Sequence, residues 1–372
     1  MRNLKVLLLF LSLLTGCEKE ENYIPELTAP LGFKLIEAEY SIKLQWEYNP
    51  DKRIEKMQIY KGYNKENLEL FGVITQPVNG EFTDKSAGIR REIFYKVNFI
   101  LTDGTETPFT EVLSKTPIEP INTETPKNGE IGGIHYAYWR FNSKTFERIR
   151  HKFTIYEEPS NQDGLYYQFY QGLLNDTIGF YYGIQTHVTH PGGNHKKGLI
   201  FSRWGTRDKN NYQTAPDGWG ESAGYEGDFI GVRKNYEWTI GEYETDLKKD
   251  STDIVGDWYS LQIRKLPNGK PEYIGSIRFE KSNRSSGIKT DGITWSELYW
   301  KRDQNTPMPD WHVSIDEVIA NNNEKPSQVY ITYNPNRFVG FANIFTTNNK
   351  DVHFIMGPKV KKYHKEGNLW FR

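Results

Sequence analysis

Short runs in which apolar and polar residues alternate, each closed by a turn signal, recur along almost the whole chain and commit it to a β architecture. Ile42-Lys43-Leu44-Gln45-Trp46-Glu47-Tyr48 alternates in this way and stops at Asn49-Pro50-Asp51. Residues 55–60 stop at Lys61-Gly62, residues 94–101 stop at Thr102-Asp103-Gly104, and residues 110–114 add a last short segment. So many short segments in under a hundred residues, with no long helical pattern, predict a sandwich over residues 28–116. Residues 117–129 carry Pro117, Pro120 and Pro126 and no periodicity, which reads as a linker.

Residues 130–372 continue with longer, more aromatic segments. Candidate strands fall at residues 135–141, 152–156, 166–170, 179–186, 199–204, 236–243, 258–264, 273–279, 293–300, 328–332, 338–345 and 351–356. That number exceeds a small barrel, and two packed antiparallel sheets of the jelly-roll or lectin kind fit best. A propeller needs an internal repeat, and none is found. Residues 312–321 form the one helix-like stretch, too short to build a layer. The expected fold is therefore all-β. The 24 Tyr, 10 Trp and 32 Gly suit aromatic strands joined by tight turns and argue against disorder.

The N-terminus sets the compartment. A basic start is followed by an apolar run from Val6 to Leu14 and then by Thr15-Gly16-Cys17, the pattern of a secretory signal. Leu14-Thr15-Gly16-Cys17 resembles the bacterial lipobox, which implies that residues 1–16 are removed and that Cys17 is acylated. Several acyl chains on one residue exceed the marginal anchoring of a single chain. Residues 17–27 read as an acidic tether. Glu18-Lys19-Glu20-Glu21-Asn22 looks like the signal that sends lipoproteins of Bacteroidetes-type bacteria to the outer face of the outer membrane. Outer-membrane lipid, and possible company with other surface lipoproteins, follow as expected partners. Cys17 is the only Cys, so no disulfide can form and stability must come from burial. With 47 Lys plus Arg against 48 Asp plus Glu, no global field draws the chain to nucleic acid.

Two family resemblances follow. Pro30, Trp46, Ile59-Tyr60-Lys61 and Tyr95-Lys96-Val97 resemble the fibronectin type III pattern. It implies a core Trp46, a corner fixed by Tyr95, a spacer or docking role and no catalytic residue. Gly179-Phe180-Tyr181-Tyr182-Gly183-Ile184-Gln185, Phe201-Ser202-Arg203-Trp204, Gly224-Tyr225-Glu226-Gly227 and Tyr236-Glu237-Trp238-Thr239-Ile240-Gly241-Glu242-Tyr243 together resemble the bacterial family called domain of unknown function 3472. That resemblance implies a fold more than an activity. The bulkier Tyr225, Asp228 and Phe229 depart from its usual Gly-rich loop.

Sugar recognition needs flat apolar faces against pyranose CH groups and a few fixed polar groups for hydroxyls. Trp204, Trp219, Tyr225 and Trp238 offer the faces, and Arg203, Glu226 and Asp228 offer polar groups close in sequence. Trp219 stands out because residues 214–221 read as a polar, Gly-rich loop, whereas Trp204 and Trp238 sit in expected strands where core packing is the simpler role. Gly183 and Gly241, beside large aromatics, read as structural relief. Glu226, between Gly224 and Gly227, can accept sugar hydroxyls, hold calcium with Asp228, or cap its turn. His187, His190 and His195 lie close enough to suggest zinc, but Pro191 and two Gly break their spacing.

A hydrolase would need two carboxyls, and Glu226, Asp228, Glu237, Glu242 and Glu244 are at hand; Glu242 and Glu244 share a strand face. No linear hydrolase signature accompanies them. The expectation is thus a surface-anchored, non-catalytic glycan-binding lipoprotein, with no cofactor certain. A glycoside hydrolase and a protein-docking subunit of a surface complex are the alternatives.

Overall fold

Alternation in the sequence becomes alternation of buried and exposed side chains on nearly every strand. The computed structural model describes residues 27–47, 49–77, 80–87, 90–125, 131–159, 164–193, 195–299, 308–334, 340–347 and 351–371. The signal segment, Cys17 and the tether up to residue 26 lie outside the described residues. The first unit holds strands β1 (Lys34–Ala38), β2 (Ser41–Gln45), β3 (Ile54–Gly62), β4 (Glu69–Thr75), β5 (Glu81–Asp84), β6 (Ile93–Leu101) and β7 (Leu113–Lys115). They form one sheet of order β1-β2-β5 and a second of order β4-β3-β6-β7. Met57 and Ile59 from β3, Ile93, Tyr95, Val97 and Phe99 from β6, and Ile42, Leu44 and Trp46 fill the space between them. The Tyr95 hydroxyl donates to Asp84 at 2.7 Å, and Lys61 Nζ stands 2.8 Å from the same carboxylate. Burial, then Asp84 itself, pushes the Tyr95 phenol far above its ordinary range.

The second unit is larger. Its strands are β8 (Ile131–Arg140), β9 (Thr145–Phe146), β10 (Arg148–Glu157), β11 (Leu165–Leu174), β12 (Ile178–Thr189), β13 (His195–Trp204), β14 (Tyr212–Thr214), β15 (Trp219–Ala223), β16 (Phe229–Asn235), β17 (Gly241–Thr252), β18 (Gly256–Lys265), β19 (Glu272–Glu280), β20 (Ile288–Lys289), β21 (Gly292–Tyr299), β22 (Trp311–Ala320), β23 (Gln328–Tyr333), β24 (Ala342–Phe345), β25 (Val352–Met356) and β26 (Gly367–Phe371). Among the described residues they make an 8-stranded sheet of order β14-β19-β18-β17-β10-β22-β25-β24, here the back sheet. The 11-stranded front sheet runs β15-β16-β13-β12-β11-β21-β8-β23-β26, with β9 and β20 attached beside β11. One aromatic-rich core lies between them, from Ile134 to Met356. The chain is all-β, built from antiparallel sheets packed as sandwiches.

Three expectations change. Residues 312–320 belong to strand β22 (Trp311–Ala320) and Asn321 to the turn after it, so this stretch is not a helix. Trp311, Val313 and Ile315 alternate inward, then a register shift opposite Lys152/Phe153 inserts one residue, so the next core side chain is Val318. The bulge converts a period of two into an i, i+3 spacing that mimics a helix. The segment around Trp238 is a turn rather than a strand, with the Trp238 amide bonded to the Tyr236 carbonyl at 2.9 Å, and β17 begins only at Gly241. The Pro-rich linker is docked where it is described. Tyr40 and Ile118 are joined through backbone bonds to Ile118 and Ala38, and Asn122 bonds the Lys359, Gly340 and Val360 carbonyls.

The first unit sits on the outer face of the back sheet. His312 and Ser314 point outward from β22, yet both are buried. Lys61 Nζ and the Tyr63 hydroxyl each donate to the Thr347 carbonyl at 3.1 Å. Arg90 bridges Glu119 at 2.7 Å and Glu157. Tyr40 stacks on Tyr363 with centroids 4.1 Å apart and packs with Phe345, Ile355 and Val360. Beneath this cover His312 Nε2 lies 3.0 Å from His353 Nδ1, and His353 Nε2 lies 3.2 Å from Asp351.

Candidate functional site: the outer face of the front sheet

Strand alternation determines what the front sheet shows to the outside. Phe180, Tyr182 and Ile184 of β12 are in the core, so Gly179, Tyr181, Gly183 and Gln185 face outward. Register then carries that face across neighbouring strands. Gly183 pairs with Ile200, Ile200 with Arg233, and Arg233 with Trp219. In the other direction Gly183 pairs with Gln168, Gln168 with Trp295, and Trp295 with Tyr136. One lateral row therefore places a glycine between an aromatic-plus-arginine end and an aromatic pair. A parallel row reads Asn235, Gly198, Gln185, Tyr166 and Glu297. Between the two aromatic ends Gln168, Tyr181, Gln185 and Ile200 are nearly buried.

Gly183 is required by the backbone. A Cβ there would meet the Tyr167 carbonyl at 2.1 Å, where β11 bulges between Gln168 and Tyr170. Gly179 leaves room for the Trp204 ring, which would stand 2.9 Å from an added Cβ.

The turn between β15 and β16 lies back over this face. Its Tyr225 hydroxyl donates to Glu221 at 2.8 Å, and the Tyr225 ring meets Phe229 edge-on at 5.0 Å. Glu221 also pairs with the Arg233 guanidinium. Glu226 feels Arg233 and Glu221 and in turn acts on Tyr166 and Tyr181. Burial raises the Glu226 pKa, Arg233 opposes that and Glu221 adds to it, leaving the carboxyl above its ordinary value. Burial pushes the Tyr166 phenol up to about 12. Among the described residues, Gln168 Oε1, Asn235 Oδ1, Arg233 Nε, Trp295 Nε1 and Ser202 Oγ of this face are buried atoms with no hydrogen-bond partner. Gln168 as a whole is only 6% exposed.

The sequence-derived candidates divide. Trp219, Trp204, Tyr225 and Glu226 belong to this face. Trp219 opens the edge strand β15 rather than sitting in a loop, with His190 edge-on at 4.8 Å, and Trp204 leans against Tyr181 at 5.1 Å. Asp228 is exposed in the same turn, where it borders Gly224 together with Arg207, and no described contact ties it to Arg233. Arg203 and Trp238 are not surface ligand residues. Arg203 points into the sandwich, 2% exposed, bonded to Glu280 at 2.7 Å and to the Arg278 carbonyl. Trp238 is 1% exposed, packed against Trp311 at 5.8 Å with Lys197 above its ring at 4.3 Å.

Glu244 pairs with Arg264 at 2.8 Å on the back sheet, away from Glu226, which removes the Glu242/Glu244 pair from any shared site with it. Among the described residues no group of three or more His, Cys, Asp or Glu is placed to hold a metal ion. The His195 side chain lies outside the described residues. Tyr166, Gln168, Tyr181, Glu221 and Arg233 escaped the sequence reading. Their one local signal is their outward parity beside Gly183 and Gly231.

Comparison with known proteins adds little. No family model matches, and no curated protein matches. Among solved structures, an α-L-rhamnosidase from Dictyoglumus thermophilum aligns over 90% of this chain and 49% of its own, with 11% identity and a TM-score of 0.20. The chain thus spans about half of that enzyme's length.

Proposed function

We propose that this protein is a surface-anchored lipoprotein whose front sheet binds an extracellular glycan without cleaving it. The observation that carries the reading is the row from Trp219 through Arg233, Gly183 and Gln168 to Trp295, aromatic at both ends. Aromatic faces take pyranose CH groups, and the exposed Tyr225 with its Glu221 partner offers polar groups beside Trp219 and Arg233. Export and anchoring rest on residues 1–17 and on Cys17. The finer fold reading is a fibronectin type III-like unit joined to a lectin-like sandwich, supported by the strand orders. The test is binding of the folded protein to a panel of plant, host and microbial glycans, with Trp219→Ala and Tyr225→Ala in parallel. Specific binding that both variants weaken supports the reading; silence of folded protein across the panel rejects it.

A second reading, glycoside hydrolysis, has one observation in its favour. A carboxyl with raised pKa beside a second carboxyl is what a general acid requires, and Glu226 beside Glu221 has that character. Release of reducing ends from a bound glycan, abolished by Glu226→Gln while binding persists, would replace the non-catalytic reading with this one.

A further inference from the structure

A cavity of about 560 Å³ opens at the seam between the two units, on the other side of the large sandwich from the Trp219 face. What it holds is therefore independent of the glycan reading above. Its wall joins the end of β3, the loop after it and the start of β4 to Thr347 of the large unit. Its volume falls in the range of roughly 300–1,000 Å³ that small-molecule sites occupy.

The charged groups on the wall differ in what they have left to give. Lys61 is spent. An ammonium has three hydrogens, and Lys61 Nζ stands 2.8 Å from Asp84 and donates to the Ser86 and Thr347 carbonyls at 3.0 and 3.1 Å. Arg91 is not spent. Its guanidinium lies 4.2 Å from the centre of the Tyr63 ring and 5.5 Å from that of Tyr156, and no described carboxylate pairs with it. The preceding residue, Arg90, is by contrast bound to both Glu119 and Glu157. Glu69, the acidic residue among the described lining, makes no ion pair with Arg91. The two rings thus position the guanidinium while its N–H groups keep no described acceptor.

Neutral groups complete the wall. Asn64 Oδ1 accepts from the Glu66 amide at 3.0 Å, which leaves the Asn64 side-chain NH₂ for a ligand. Asn67 lies beside it, its backbone amide bonded to the Asn64 carbonyl at 3.1 Å and its side chain exposed. Phe71 adds an apolar surface.

A planar guanidinium takes a carboxylate through two parallel hydrogen bonds. One available guanidinium matches one negative charge, and with Lys61 committed the described wall has no second cation for a phosphate dianion. Side-chain amides suit hydroxyls, which donate and accept as they do. We infer that this cavity binds a small sugar acid, a hydroxylated ring bearing one carboxylate, with the carboxylate on Arg91 and the hydroxyls on Asn64 and Asn67. Thr347 closes the cavity from the large unit, so the bound molecule sits across the seam.

The test is calorimetric titration of the full-length protein with D-galacturonate and D-glucuronate, with D-galactose and D-glucose, with acetate and with inorganic phosphate. The two sugar acids are expected to bind at least about tenfold more tightly than each of the other probes. Arg91→Gln is expected to erase the preference for the acids, Asn67→Ala to weaken the acids severalfold, and Trp219→Ala to change neither. Thermal unfolding of each variant confirms that it is folded. Neutral sugars binding as tightly as the acids, or a preference that survives Arg91→Gln, would overturn the carboxylate assignment. Acetate binding as tightly would overturn the sugar body, and phosphate binding as tightly would overturn the single-charge match. Loss of binding in Trp219→Ala would move the ligand to the front sheet and overturn the cavity assignment. No binding of any probe by folded protein would remove this inference and leave the front-sheet reading to its own glycan panel.

Discussion

The two sheets of the large unit present polar clusters on their outer faces, and the two clusters have opposite fates. On the back sheet, Asp351, His353 and His312 form a hydrogen-bonded chain with Tyr156 stacked on His312 at 4.4 Å, and Thr347 donates to Asp351 at 2.8 Å. The first unit closes over it through Lys61, Tyr63 and Arg90. On the front sheet, Trp219 and Arg233 stay half-buried and Tyr225 exposed, with no second unit over them among the described residues. The contrast separates a face that the chain itself covers from one that it leaves open.

Acid should load both the covered side and the core between the sheets. Burial lowers the pKa of His364 to about 4 and lowers His312 as well at the seam, and it lowers His135 and His151, which pack in the core on Phe354 and on Phe169, to about 3. Each imidazole binds a proton more readily unfolded than folded, so its contribution is whole above the unfolded value of about 6.5 and falls as pH drops below it. Between pH 6.5 and pH 5 this amounts to about 1–2 kcal/mol per imidazole. A melting temperature that falls steadily over that window is expected; a flat profile would show these rings already solvated.

Lys61→Met tests the seam between the units. It strands the Asp84 carboxylate, 1% exposed, and removes a donor to Thr347. A loss of about 3–5 kcal/mol in denaturant unfolding is expected, with glycan affinity unchanged under native conditions. Trp219→Ala should do the reverse, weakening glycan binding about tenfold, or about 1.4 kcal/mol, while shifting stability by less than about 1 kcal/mol. Equal losses in both assays would make Trp219 a packing residue. The smallest effect belongs to Asp228→Asn, which should stay within about 0.5 kcal/mol in stability and binding. A marked loss of binding there would bring Asp228 back into the site.

Period-two alternation made most strands legible, and the core positions of Trp46 and Tyr95 with them. Where a bulge interrupted the period, as in β22, the same reasoning produced a helix. The site was only half legible. Trp219, Tyr225 and Glu226 could be found because large or charged residues in a Gly-rich segment attract attention. Arg233, Gln168 and Tyr181 could not, because the pairing that gathers them joins strands distant in sequence. Arg203 and Trp204 are neighbours on one strand and face opposite sides, so proximity in sequence put both in the site where parity admits one. Trp238 looked equally available, but its turn tucks it under Lys197.

The docked linker has a mechanical side. The first unit and the Trp219 face lie on opposite sides of the large sandwich, so tension between the N-terminal strands and that face passes straight through the seam. That load is shared by Lys61 and Tyr63 on Thr347, by the Arg90 bridges, by the Tyr40 stack and by the bonds of Ile118 and Asn122. A hinged joint would let that face swivel against the first unit. This arrangement instead holds it turned away from the first unit, as a fixed bracket rather than a swinging arm.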